Sequence, residues 1–155
     1  MADDELITPT LEEASKRRAD LHRALIHVEE AISGPAAGRE HGWAMEVVKR
    51  LNALRDTIDE HVEVTERPDG LYDEISRRAP RLATKMQRLQ EEHPGMREAT
   101  TEMISKLEST PVGDAWPLEE ARDDLQRLLG RIVKHRQLGA DLVWEAYNLD
   151  IGGIE

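Results

Sequence analysis

Residues 118–149 read LEEARDDLQRLLGRIVKHRQLGADLVWEAYNL. Within them Leu118, Ala121, Leu125, Leu128, Ile132, His135, Gly139, Leu142, Ala146 and Leu149 fall at alternating steps of three and four residues, a spacing that lines up one face of an α-helix. Charged residues fill the positions between, so one stripe is predicted to be buried and the rest wet. The same pattern recurs towards the N-terminus. Leu82, Met86, Leu89, His93, Met96, Thr100, Met103 and Leu107 form a second stripe, interrupted on its flank by Pro94, which removes a backbone donor and should bend the helix. Ala44, Val47, Leu51, Leu54, Ile58, His61 and Thr65 form a third. A helix is also predicted from Thr10 to about Ile32, opened by the Thr-x-x-Glu box of Thr10 and Glu13, in which each side chain caps the other's backbone.

Turn signals separate these segments at Ser33 to Gly42, at Glu66 to Gly70 with Pro80 behind, and at Ser109 to Pro117, where Gly and Pro cluster. Leu71 to Arg78 is expected to be a short extra helical turn. No run alternates apolar and polar residues with β-branched enrichment, so strands are not expected. Four amphipathic helices on short connections predict an all-α, antiparallel up-down-up-down four-helix bundle. The whole chain, 1–155, reads as one domain, with tails at 1–10 and 150–155.

Composition narrows the function classes. Lys and Arg number 21 against 32 Asp and Glu, a formal charge of −11, so nucleic acid or an anionic membrane surface would be approached against the protein's own field. There is no cysteine, which excludes disulfides, thiolate chemistry and Cys-based metal sites. Any metal must sit on His and carboxylate. The absence of a leader-like start or a long apolar run predicts a cytoplasmic protein without a membrane span. Phe is absent as well, leaving the core to Leu, Ile, Val, Met and Ala, mostly good helix formers.

The residues that break the apolar stripes carry the chemistry. His61, His93 and His135 each stand where the stripe calls for an aliphatic residue, on three different helices. Neutral imidazoles brought together in a core make a site for a transition metal. His22 flanks the stripe of the first helix, one residue beyond Leu21, and a turn inward would add it to the group; His27 and His41 read as solvent residues. At about 1.5 Å per residue, His93 and His135 lie at equal depths from the loop that joins their helices, whereas His22 and His61 differ by ~12 Å. Met86, Met96 and Met103 follow the stripe spacing and read as core filler.

The pattern of His22, His61 followed by Glu66, Leu71-Tyr72, Glu91-Glu92-His93 and His135 resembles the hemerythrin-like cation-binding domain over residues 11 to 149. That resemblance implies a four-helix bundle holding iron, or another cation, through His and carboxylate, in proteins that bind or sense oxygen, handle iron or respond to nitric oxide and redox stress. The chain departs from the family at the positions that supply extra ligands, which here are Thr65, Arg97 and Gly139 or Ala140. A full two-iron set is therefore not expected. The reading is a single metal ion, iron before zinc, held by His22, His61, His93, His135 and Glu66, with Pro68 and Gly70 letting the helix end unwind to bring Glu66 inward. Arg97 is expected to contact a carboxylate, and Gly139 to mark a close helix contact or room for a bound group. The expected function is sensing, storage or binding of a small ligand such as a diatomic gas, rather than turnover. A metal-free bundle acting as an interaction scaffold, with Arg97 and a Glu in a buried polar network, is the alternative, and a haem between His93 and His135 is a third.

Overall fold

The computed structural model describes residues 7–149, all in helices or their connections, with no strand among them. Four long helices, α1 (Pro9–Ile32), α2 (Glu40–Glu66), α4 (Ala83–Ser109) and α5 (Leu118–Trp144), are joined by loops and by one short helix, α3 (Leu71–Arg78), with a 3-10 turn, Pro80–Leu82. Each long helix packs on the next in sequence and α5 closes back on α1, the ring of neighbours that an up-down-up-down bundle makes. α5 runs into a single wider turn, Glu145–Leu149. Among the described residues no helix is long and apolar enough to cross a membrane.

The predicted stripes are the buried faces. On α2 every stripe residue from Ala44 to Thr65 is buried, and α5 buries Ala121, Leu125, Leu128, Ile132, His135 and Leu142. One detail differs from expectation. The first helix starts at Pro9, inside the expected N-terminal tail, because Thr8 rather than Thr10 caps it, its hydroxyl accepting from the Leu11 N–H at 3.0 Å. Pro9 favours this start, since its fixed φ suits the first helical turn and its missing N–H would have had no partner there. On α4 the helix runs on through Pro94 without a break. Residues 1–6 and the expected C-terminal tail, 150–155, lie outside the described residues.

The core is in two parts. One apolar cluster gathers Leu21 to Ile32 of α1 with Trp43 to Ile58 of α2, Met96 to Leu107 of α4 and Ala121 to Ile132 of α5. The other gathers Ala14, Val64, Leu71, Tyr72, Ile75, Leu82, Leu89, Leu142 and Tyr147. Along α2 the first cluster ends at Ile58 and the second begins at Val64; along α4 the corresponding pair is Met96 and Leu89, and along α5 it is Ile132 and Leu142. His61, His93 and His135 fall in those three gaps. A polar layer therefore separates two apolar ones.

Candidate metal centre

The three stripe histidines meet in this layer. Their side chains are almost wholly buried, and one ring nitrogen of each lies within 4.8 Å of the others. Ring centroids are 5.1 Å apart for His61 and His93, 5.4 Å for His61 and His135, and 4.9 Å for His93 and His135, all edge to face. His93 and His135, at equal depths by the loop distances, are the closest of the three pairs.

Two carboxylates hold the outer edges of the cluster. Glu66 Oε2 accepts from His93 Nδ1 at 2.5 Å, and Glu92 Oε1 accepts from His135 Nδ1 at 2.7 Å. A neutral imidazole that gives its Nδ1–H to a carboxylate keeps a free lone pair on Nε2. Both lone pairs then face the interior. The remaining contacts follow from this assignment: the Tyr72 hydroxyl donates to His93 Nε2 at 3.3 Å, and His61 Nε2–H donates to His135 Nε2 at 3.3 Å. His61 Nδ1 is buried and has no hydrogen-bond partner. An unmet buried polar atom costs about 1–3 kcal/mol, so the cluster is short of one partner.

Electrostatics disfavour protonation of two of the rings. Burial, with the neighbouring His93, His135 and Arg18, pushes His61 down to about 3. Burial also lowers His93, against the opposing pull of Glu66. The Tyr72 hydroxyl is driven upward by burial and stays protonated. Neutral rings are the form that ligates a metal.

The other predicted site residues are placed differently. His22 lies on the exposed face of α1 and does not join the cluster; its neighbour Leu21 takes the inward position, fully buried. Glu66 is the last residue of a regular α2. No unwinding at Pro68 or Gly70 is needed to bring it in, and it meets the outer nitrogen of His93 rather than the space between the rings. Arg97 does contact a carboxylate, but the partner is Asp59, at 2.8 Å, and both are on the surface. The buried Arg97–Glu network of the scaffold reading is therefore not formed. Gly139 makes no close helix contact, since a Cβ built there would have nothing within 4 Å; it borders a cavity of about 20 Å³ beside His61 and His135. His27 and His41 are exposed, as expected.

One residue of the layer escaped the sequence reading. On α1 Ala14 belongs to one apolar cluster and Leu21 to the other, and Arg18 stands between them at helical spacing. The fourth helix thus presents a guanidinium at the level where the other three present imidazoles. The signal was the interruption of the α1 stripe by a cation, which is easily taken for surface.

Three imidazoles with carboxylates behind two of them fit one transition-metal ion, with His61, His93 and His135 as ligands and Glu66 and Glu92 orienting the rings. They do not fit two, because the carboxylates lie on outer nitrogens and none is left to bridge. Comparison of the chain with protein-family models, curated proteins and solved structures found no match in any of the three.

Proposed function

We propose that this protein is a metal-binding four-helix bundle of hemerythrin-like type that holds a single ion, iron before zinc, for sensing, storage or binding of a small ligand. The observation that carries the reading is the meeting of three buried imidazoles, two of them backed by carboxylates on Nδ1. A bound iron would supply a redox couple and a position open to a small ligand. The chain's own residues supply the rest. Glu66 and Glu92 fix the tautomers, the two apolar clusters keep bulk water from the layer, and burial suppresses protonation that would compete with the ion.

Metal content of protein purified from iron-replete cells, compared between wild type, His135→Ala and His41→Ala, tests the proposal. Close to one equivalent of ion in wild type and in His41→Ala, with at least a tenfold loss in His135→Ala, is the expected result. Equal retention by both variants overturns it.

A metal-free reading is favoured by one observation. The Tyr72–His93 and His61–His135 hydrogen bonds satisfy every ring nitrogen but one without an ion, so the layer could serve as a packing device in an interaction scaffold. Anomalous scattering at the iron and zinc edges from metal-soaked crystals separates the two, because a scaffold gives no peak between the rings.

A further inference from the structure

The outward side of α5 carries a charge pattern that reverses sign at one exposed apolar residue. Arg127, Arg131, Lys134, Leu138, Asp141 and Glu145 follow one another at steps of four and three, which sets them on a single stripe, turned away from the buried one. All but Glu145 are exposed, and Glu145 is partly so; Leu138 is 40% exposed. Cations hold the N-terminal half of the stripe and carboxylates the C-terminal half. Two of these charges are already paired within the chain, Arg127 with Asp124 at 3.2 Å and Glu145 with Lys85 at 3.0 Å. Among the described residues Arg131, Lys134 and Asp141 enter no ion pair. We propose that this face binds a second copy of the chain, as a two-fold dimer whose α5 helices run antiparallel and cross at Leu138.

Antiparallel pairing brings unlike charges together. A two-fold axis through Leu138 sets Leu138 against the partner's Leu138, Lys134 against the partner's Asp141 and Arg131 against the partner's Glu145, because the members of each pair stand equally far, within one position, on either side of the axis. The symmetry repeats every such pair. A uniformly acidic partner would suit Arg131 and Lys134 but meet Asp141 and Glu145 with like charge, and a basic one fails at the other half; the chain's own stripe matches along its whole length. Beside Leu138 the surface is hollow. A pocket of about 300 Å³ between α4 and α5 has Leu89, Leu138 and Leu142 on its wall, which lets the partner's Leu138 leave water. Its rim sets two cations, Lys85 and Arg88, against three carboxylates, Glu92, Asp141 and Glu145, an excess of one negative charge towards the partner's cations. The net charge of −11 opposes association at long range, where physiological salt screens it beyond about 8 Å. Glu92 also backs His135, so a copy seated here covers an exposed edge of the histidine layer.

A short, largely polar contact belongs with the small, transient interfaces of less than about 1,200 Å². Sedimentation velocity of the full-length protein over about 1 µM to 1 mM covers the affinities such contacts reach. A reversible monomer–dimer equilibrium is expected, weakened as salt is raised. Leu138→Glu should abolish the dimer, whereas Val133→Glu, at an exposed apolar residue of α5 that lies off the stripe, should leave its affinity within roughly twofold. One exposed ion pair is worth little, but reversing one charge turns attraction into repulsion at two symmetric places. Lys134→Glu and Asp141→Lys should therefore each weaken dimerisation about tenfold, and the two combined should restore it to within roughly threefold of wild type. That recovery requires the two residues to face each other across the contact, and exposed positions leave folding intact. Protein that stays monomeric throughout, a dimer indifferent to Leu138→Glu, or a combined variant no stronger than the single ones overturns the proposal. None of these readings involves metal retention, so the dimer and the metal reading stand or fall separately.

Discussion

At the scale of single residues, the histidine layer works by withholding protons. His61 is held near 3 against an ordinary value of 6.5 by burial first and then by its neighbours, and His93 is lowered in the same direction. In the unfolded chain both rings bind protons as pH drops below 6.5, and in the folded chain both resist it. The stability that His61 contributes is therefore complete above about pH 6.5 and is lost as pH falls from there towards 3. His61 adds a slope of roughly 1.4 kcal/mol per pH unit inside that window, and His93 adds to it in the same direction. Thermal unfolding of metal-free protein should shift steeply downward between pH 6 and pH 4, and His61→Leu should flatten the dependence; an identical slope in that variant would place the effect elsewhere. The two carboxylates act at the same scale. Replacing Glu66 or Glu92 by Gln keeps the shape but exchanges a charged acceptor for a neutral one, and loss of such a partner typically costs ten- to a hundredfold in metal affinity. Metal titration of Glu92→Gln against wild type measures it, and equal affinities would remove Glu92 from the site.

The helices carry their own lesson, which concerns ends rather than faces. The stripes on α2, α4 and α5 follow from three- and four-residue spacing alone, because burial of an apolar face dominates helix stability in a bundle. The N-terminus of α1 did not follow. Thr10 has the capping-box spacing to Glu13, yet the cap is Thr8, whose hydroxyl takes the Leu11 N–H and also donates to Glu74 of α3 at 2.6 Å. That second bond is tertiary. Thr8→Ala should cost about 1 kcal/mol, the usual worth of an N-cap, and Thr10→Ala close to nothing; denaturant unfolding of the two variants distinguishes them, and a larger loss at Thr10 would contradict the observed cap. The end of α2 is simpler. Pro68 disfavours helix before it, and a Cβ at Gly70 would come within 2.8 Å of the carbonyls of Val64 and Arg67, so the chain turns there with Glu66 as the last helical residue.

For the whole molecule, the division of the core by a polar layer sets stability against function. Three imidazoles and one phenol interrupt what would be a continuous apolar interior from Ile32 to Leu82. Replacing buried polar partners together by apolar groups of similar size is often neutral or stabilising. The variant His61→Leu, His93→Leu, His135→Leu with Tyr72→Phe should therefore remain a bundle, retain no metal and unfold at least 2–4 °C above metal-free wild type, equivalent to about 1 kcal/mol for a chain of this length. Calorimetry on both metal-free proteins decides this. A lower unfolding temperature in the variant would mean that the layer stabilises the bundle by itself, as the scaffold reading requires.

The bundle and the inward direction of His61, His93 and His135 were legible without coordinates, since both depend only on spacing along single helices, and spacing is a local property of the chain. Equal loop distances also matched the depths of His93 and His135. What local spacing does not contain is how side chains from different helices meet. Rotation of α1 decided that Leu21 faces inward and His22 outward. Packing of α4 against α2 and α5 decided that Glu66 and Glu92 reach the outer nitrogens of two rings, and it left Arg97 on the surface beside Asp59. The place of Arg18 in the fourth corner of the layer, with Arg136 beside it, is likewise a matter of neighbours. A cation in a stripe reads as an error of periodicity until the two apolar clusters above and below it show that it occupies a level of its own.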